Sequence, residues 1–128
     1  MFRRLAADQR GVAAIEFALL APAFLMLLVG TMTMSILFFT TTSLHFAVEA
    51  AARCASVMST VCSNSVTTTA YAAGKYYGST VKPVFTCAGR ACGGTASCGN
   101  KVTGTVTVTL DVGIASYSTP LRADACYP

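Results

Sequence analysis

The sequence predicts an α+β protein: a long N-terminal membrane-spanning helix that extends into a small domain stapled by disulfide bonds. An apolar stretch of 23 residues without a charge runs from Phe17 to Phe39, and all six cysteines follow it. From Val102 onward, apolar and polar residues alternate as in an antiparallel strand with one buried face. A hydrophobic content of 54% with 11% charged residues agrees with a membrane anchor.

The apolar stretch is long enough to cross a bilayer. At about 1.5 Å per residue it spans about 35 Å, more than a hydrocarbon core of about 30 Å. Glu16 lies at its edge, where headgroups or a partner must satisfy the carboxylate, because a charge at the bilayer centre costs at least about 3 kcal/mol. Pro22 removes the hydrogen bond to the carbonyl of Ala18 and predicts a kinked or loosened turn.

Basic residues precede the apolar stretch. Arg3, Arg4 and Arg10 against Asp8 give the first eleven residues a net +2 of the total +4. The positive-inside tendency therefore predicts a cytoplasmic N-terminus and a C-terminal domain on the other side of the membrane. The remaining charge is scattered without an aromatic-basic stripe, so nucleic-acid binding is not predicted.

A secretory signal peptide is the rival interpretation of the N-terminus. Its apolar region is typically about 7 to 15 residues and ends at small residues such as Ala-x-Ala. Here the apolar stretch continues to Phe39 and meets threonines, which disfavours conventional signal-peptide cleavage.

Gly11 separates the basic residues from the apolar helix. Without a side chain, it lets a protease hold the backbone in an extended form. A cut after Gly11 would make Val12 the new N-terminus, with an α-amino pKa near 8. That amino group would lie one helical turn from Glu16, in the same subunit or in a neighbour, and a charge pair would replace a lone carboxylate.

Gly11 begins a segment that resembles the processing site and helix of type IV-like pilins, G-V-A-A-I-E-F-A-L-L-A-P-A-F-L. More narrowly, the segment is similar to TadE-like minor pseudopilins of the tight adherence (Tad/Flp) pilus. The resemblance implies that a prepilin peptidase removes a leader, residues 1–11, and that Glu16 supports assembly. Phe17 stands where many relatives have tyrosine. Pro22 would let the helix bend or melt in the filament, and residues 12–39 would form the transmembrane and assembly helix.

Residues 40–78 are predicted to form an extramembrane helical region. Thr40-Thr41-Thr42-Ser43 marks the membrane exit, after which apolar residues recur at helical spacing, at Leu44, Val48, Ala51, Ala52, Ala55 and Met58. Cys54 and Cys62 would be about 12 Å apart on an unbroken helix, beyond the roughly 7 Å limit for a disulfide, so the helix must end between them if they pair. Ser63-Asn64-Ser65 offers caps for a second helix over 66–77, and Gly78 would end it.

Residues 79–128 are predicted to form a cysteine-rich β domain. A strand over 81–87 is placed at a sheet edge by Pro83, and a glycine-rich loop follows from Cys87 to Asn100. The strand from Val102 carries Val106, Val108, Leu110, Val112 and Ile114 on one face, and Gly104 there marks either a bulge or a close approach. A turn over 113–118 then leads to a last strand over 119–126.

Six cysteines allow fifteen connectivities. Cys-Gly-Asn before the long strand and Cys-Tyr-Pro at the end resemble the family's closing pattern, which implies a Cys98 to Cys126 pair. By elimination Cys87 pairs with Cys92, an addition to the family's four-cysteine pattern. These spacings lack C-x-x-C pairs, and His45 lies far away in sequence, so neither a metal nor any other cofactor is predicted.

The sequence favours a structural and assembly protein over an enzyme. No nucleophile-base pairing or phosphate-cradling loop is present. The resemblance implies a minor pseudopilin that acts with a prepilin peptidase, other pilins and inner-membrane lipid, its C-terminal domain periplasmic before incorporation into a pilus. The alternative is an unprocessed single-pass anchor whose periplasmic domain binds a ligand through the loop from Cys87 to Asn100. A third hypothesis makes that loop an adhesive tip surface.

Overall fold

The computed structural model describes residues 10–78, 81–111 and 115–128. Its elements, in chain order, are helices α1 (Arg10–Val57) and α2 (Ser65–Lys75) and strands β1 (Val84–Ala88), β2 (Asn100–Asp111) and β3 (Ser116–Tyr127). The predicted fold class is confirmed. The chain divides into two compact units, an N-terminal unit that ends at Ser35 and a C-terminal unit from Ile36 to Pro128; α1 contributes residues to both.

Within the C-terminal unit, α1 buries one face. Leu44, Val48, Ala51 and Ala52 are fully buried and form the core with residues of α2 and the sheet. Alanines on this face let the packed elements approach α1 closely, and their spacing is the helical period seen in the sequence. Met58, which the pattern also placed on this face, is 39% exposed because α1 ends one residue earlier.

The end of α1 coincides with the first disulfide. The helix stops at Val57, and the Cys62 N–H donates to the carbonyl of Met58 at 2.9 Å in the turn that follows. This turn brings the Cα atoms of Cys54 and Cys62 to 5.8 Å. The helix therefore ends between the two cysteines, as pairing requires.

A capping box starts α2. The side-chain oxygen of Asn64 accepts from the Thr67 N–H at 2.9 Å, and the Asn64 N–H donates to Thr67 Oγ1 at 3.2 Å. The helix ends at Lys75, two residues earlier than expected, because Tyr76 adopts an extended backbone. The next residue, Tyr77, donates its N–H to Ser43 Oγ at 2.7 Å, which fixes the end of α2 against α1.

The three strands form an antiparallel sheet in the order β1-β2-β3. The strand expected over 81–87 begins only at Val84, because Pro83 lacks the N–H that a paired strand needs. The last strand begins at Ser116 rather than Thr119, since pairing with β2 continues to Asp111. The predicted strand residues Val112 and Ile114, and the first part of the predicted turn, lie outside the described residues.

At Gly104, β2 closely approaches Leu44 of α1 and Phe85 of β1. Pairing of β2 runs through Gly104 without a slip on either side, so there is no bulge at this position. A Cβ atom on Gly104 would lie 2.8 Å from Cε1 of Phe85 and 2.9 Å from Cδ1 of Leu44. The residue therefore permits the close approach that was one of its two predicted roles.

Asn100 joins three parts of the C-terminal unit at the other end of β2. Its side chain is buried, accepts from the Ala91 N–H at 3.0 Å and donates to Ser56 Oγ at 3.2 Å. The same nitrogen donates to the carbonyl of Ala55 at 3.5 Å. One amide thus holds the end of α1, the cysteine-rich loop and β2 together.

Adding a methyl group at Gly104 is expected to destabilise the domain. Gly104→Ala should lower the free energy of unfolding by about 1–3 kcal/mol, because the new carbon overpacks a filled core. Gly74→Ala is the matched control: Gly74 lies inside α2 with nothing within 4 Å of a Cβ, so the change should stabilise by about 0.5–1 kcal/mol. Denaturant unfolding of the two variants in detergent checks the opposite signs, and equal effects would contradict the packing at Gly104.

Removing the buried amide is expected to cost more than removing the exposed cap. Asn100→Ala leaves the Ala91 N–H and the Ala55 carbonyl without their partner, a loss of about 2–3 kcal/mol. Asn64→Ala removes the cap of α2 and should cost about 1 kcal/mol. The midpoints of denaturant unfolding rank the two variants, and the reverse order would exclude a central role for Asn100.

Candidate processing and assembly site

The N-terminal unit presents apolar side chains on every face of α1. In its most apolar stretch none of the residues is buried. Phe17, Leu19 and Met26 are each more than 70% exposed. A helix that is hydrophobic all round needs lipid or protein around it, because each large apolar side chain gains about 1.5–3 kcal/mol when it leaves water. Its length and composition fit a membrane anchor.

Hydroxyl groups within this segment bond back to the helix. Thr31 Oγ1 donates to the carbonyl of Leu28 at 2.9 Å, and Thr33 Oγ1 donates to the carbonyl of Val29 at 2.7 Å. Each hydroxyl hydrogen is therefore satisfied without water. Such internal bonding is what a bilayer demands of polar groups at membrane depth.

The predicted cleavage bond, between Gly11 and Val12, lies in the first turn of α1. Gly11 is helical, with nothing within 4 Å of the position of a Cβ. A peptidase that binds an extended segment must first unwind this turn. Helix ends open at little free-energy cost, and glycine lowers that cost by about 1 kcal/mol relative to alanine.

Glu16 lies one turn into the same helix, on the face that carries Val12. Four helical residues separate the two Cα atoms by about 6 Å along the axis. Glu16 is exposed and makes no hydrogen bond or ion pair with the described residues from Gly11 onward. An ammonium group on Val12 would lie within reach of this carboxylate.

The two other predicted assembly residues sit on the same exposed helix. Phe17 is 73% exposed, so its ring is available to lipid or to a neighbouring chain. Pro22 lies inside α1, which continues through it to Val57. The carbonyl of Ala18 lacks the backbone donor that another residue at position 22 would supply, which leaves the helix weakest at this turn.

Three disulfides close the C-terminal unit, between Cys54 and Cys62, Cys87 and Cys92, and Cys98 and Cys126. Their Cα atoms are 5.8, 5.7 and 6.1 Å apart. The last pair joins the loop before β2 to the end of β3, 28 residues away in sequence. Thiol chemistry is therefore excluded for these six residues while they are paired.

The loop from Cys87 to Asn100 was the alternative binding surface. It contains a short 3-10 turn, Arg90–Cys92, and borders an open depression whose described lining has Arg90 as its one charged side chain. Hydroxyls of Ser56, Ser59 and Ser97 line the same depression. No group of three His, Cys, Asp or Glu residues that could hold a metal ion occurs in the described part of the chain.

Two structural contacts were not anticipated from the sequence. The sequence places Asn100 at the end of a loop. A polar residue directly before an alternating strand is the one local feature that could have indicated its buried hydrogen bonds. Lys101 and Asp124 form an ion pair of 3.3 Å on the exposed face of the sheet. Both side chains are substantially exposed, so this pair contributes little to stability.

Comparison with known proteins finds one family. Residues 11–53, about a third of the chain and nearly all of α1, match the family model described as TadE-like protein. No curated protein and no solved structure matches the chain. The match suggests that this segment is related to proteins of the Tad pilus system. The segment that carries the predicted processing and assembly residues is therefore similar to TadE-like proteins.

Proposed function

We propose that this protein is a minor pseudopilin that takes part in building a Tad/Flp-type pilus after a prepilin peptidase removes residues 1–11. The observation that carries the proposal is the position of the TadE-like match, which begins at Gly11 and includes the exposed apolar stretch of α1 with the carboxylate of Glu16 at its edge. In this proposal α1 is both the anchor before assembly and the packing surface afterwards.

Glu16 is the residue whose chemistry depends on processing. A carboxylate at the edge of the apolar segment is costly without a partner. Cleavage after Gly11 supplies an ammonium group one turn away, on Val12 of the same chain or of a neighbour. The pair between two subunits favours docking because it neutralises both charges at once.

The exposed surface of α1 supports the transfer from lipid to filament. Leu19, Leu20 and Met26 are covered by acyl chains in the bilayer, and neighbouring helices would cover them in a filament. The hydrophobic effect contributes little to this exchange because both surroundings are apolar. Specific contacts, with Glu16 first among them, therefore decide whether a subunit joins.

The rival function, an unprocessed membrane-anchored binding module, makes the opposite prediction about the N-terminus. It keeps Met1 and leaves Glu16 without an ammonium partner. Its ligand would have to bind at the depression beside Arg90. The inner membrane, a cytoplasmic N-terminus and a periplasmic C-terminal domain are common to both proposals.

Blocking the cut tests the first step. Gly11→Val is expected to retain residues 1–11, because a β-branched side chain obstructs the close approach of a peptidase to the backbone. Gly30→Val is the matched control, since Gly30 lies in the same helix and also has nothing within 4 Å of a Cβ. Intact mass and N-terminal sequencing of protein from membranes provide the measurement. A start at Val12 in the Gly11→Val variant would refute the cleavage site, and a start at Met1 in the unaltered protein would support the rival function.

Removing the carboxylate tests the second step. Glu16→Gln keeps the size of the side chain and removes its charge. The variant should still be cleaved and membrane-bound, but it should assemble about tenfold less pilus. That loss corresponds to about 1.4 kcal/mol per docking step. Glu49→Gln, a carboxylate on the same helix within the C-terminal unit, is the control and should assemble normally. Sheared pili quantified by immunoblot give the result, and normal piliation with Glu16→Gln would rule out the assembly role.

A further inference from the structure

We infer that the three disulfides form one after another while the chain crosses the membrane, and that the reaction needs a dithiol oxidase but no disulfide isomerase. The partner is a protein outside the cytoplasm that carries a redox-active disulfide. This inference goes beyond the proposed pilus function and rests on the topology common to both proposed functions, with the C-terminal unit on the periplasmic side. It is carried by the disulfide connectivity and by the turns that bring the cysteines together.

The connectivity joins each cysteine to its nearest neighbour in the order of the sequence. The pairs are Cys54 with Cys62, Cys87 with Cys92, and Cys98 with Cys126. No other cysteine lies between the two members of a pair. A chain that emerges from its N-terminal side therefore never presents two incomplete pairs at once. Of the fifteen connectivities that six cysteines allow, this is the only one with that property.

The first pair closes on a turn made by its own residues. The Met58 N–H donates to the carbonyl of Cys54 at 2.8 Å, and the Cys62 N–H donates to the carbonyl of Met58 at 2.9 Å. No residue beyond Cys62 takes part in these bonds, so the turn can form as soon as this segment is exported. In the folded domain both cysteines are fully buried, with Tyr71 of α2 packed against them. Early closure is therefore required, because the folded domain shields both sulfur atoms from an oxidase.

The second pair also closes on a local turn. The Cys92 N–H donates to the carbonyl of Gly89 at 3.0 Å. Gly89 and Gly93 have φ angles of +138° and +75°, which glycine adopts at little cost. The turn brings the Cα atoms of Cys87 and Cys92 to 5.7 Å with residues of its own segment. This pair can therefore close before Cys98 is available as a competing partner.

The third pair is different because it depends on the sheet. Cys98 and Cys126 are 28 residues apart in sequence. Cys126 reaches Cys98 because β3 pairs with β2, which places Cys126 opposite Lys101. Cys98 is exposed even in the folded domain, so an oxidase can reach it while the chain waits for β3. When Cys126 emerges last, Cys98 is the one cysteine that has no partner yet.

Each disulfide forms by two thiol–disulfide exchanges with the oxidase. The thiolate of the earlier cysteine attacks the oxidase disulfide, and one oxidase sulfur leaves as a thiolate, which gives a mixed disulfide. The thiolate of the later cysteine then attacks the sulfur of the earlier one, and the oxidase leaves as a dithiol. The chain loses two electrons and two protons, and the oxidase gains them. The later cysteine of each pair is the next to emerge, so it resolves the mixed disulfide before another cysteine competes.

Removing one cysteine of the middle pair tests the order of closure. In the Cys92→Ser variant, Cys87 is still unpaired when Cys98 emerges eleven residues later. Without an isomerase, the disulfide between Cys87 and Cys98 should exceed the one between Cys98 and Cys126 by about fourfold or more, because the shorter loop closes more readily. The double variant Cys87→Ser/Cys92→Ser is the matched control, since it has no competing thiol and its remaining pairs are again neighbours in sequence.

The full chain and both variants are produced in bacterial cells that contain both enzymes, lack the dithiol oxidase or lack the disulfide isomerase. Free thiols are alkylated before lysis, disulfide-linked peptides are quantified by mass spectrometry, and full-length protein is quantified by immunoblot. The unaltered protein and the double variant should keep their native pairs without the isomerase and lose them without the oxidase. The Cys92→Ser variant should need the isomerase to recover the pair of Cys98 with Cys126. If the mispaired chain is degraded, its full-length band should fall in the cells that lack the isomerase.

Three results would overturn the inference. In the first, the unaltered protein is oxidised but needs the isomerase for its native pairs, so closure is not sequential, while the pilus proposal stands. In the second, Cys92→Ser pairs Cys98 with Cys126 equally well with and without the isomerase, so pairing follows folding and not the order of emergence. In the third, all six cysteines remain thiols in cells that contain both enzymes, which refutes the topology shared with the proposed function as well.

Discussion

One continuous helix has to satisfy two environments, and this constraint shapes the rest of the chain. The first residues of α1 expose apolar side chains in every direction, whereas the later residues bury one face and expose the other. A helix that is apolar all round requires lipid or other helices, and one that is apolar on one face requires a small domain. The C-terminal unit is that domain, built around Leu44, Val48 and the alanines that follow.

The small size of the domain explains its remaining features. A sheet of three strands and one short helix buries too little apolar surface for high stability, so covalent and polar links take a larger share. The three disulfides close the end of α1, the cysteine-rich loop and the end of β3. Asn100 ties the end of α1, the same loop and the start of β2 by hydrogen bonds. The end of the domain that contains Asn100 is thus the most heavily cross-linked.

The other end of the domain has a different character. The Cys98 to Cys126 link and Asn100 hold one end of the paired strands β2 and β3, whereas the other end, at the cross-strand pair Leu110 and Tyr117, has neither.

Local patterns in the sequence predicted α1, a cap within Ser63-Asn64-Ser65 and the alternation of β2, because each depends on neighbours within a few residues. They also predicted Gly11 and Glu16 as a site, since a glycine and a carboxylate between basic and apolar residues carry their own chemistry. The start of β3 and the buried link at Asn100 depended on partners far away in sequence. Pairing with β2 extends β3 to Ser116, and packing against α1 leaves no room for a side chain at Gly104. Only the tertiary structure decided these features, because the free energy of each comes from a contact that no local pattern records.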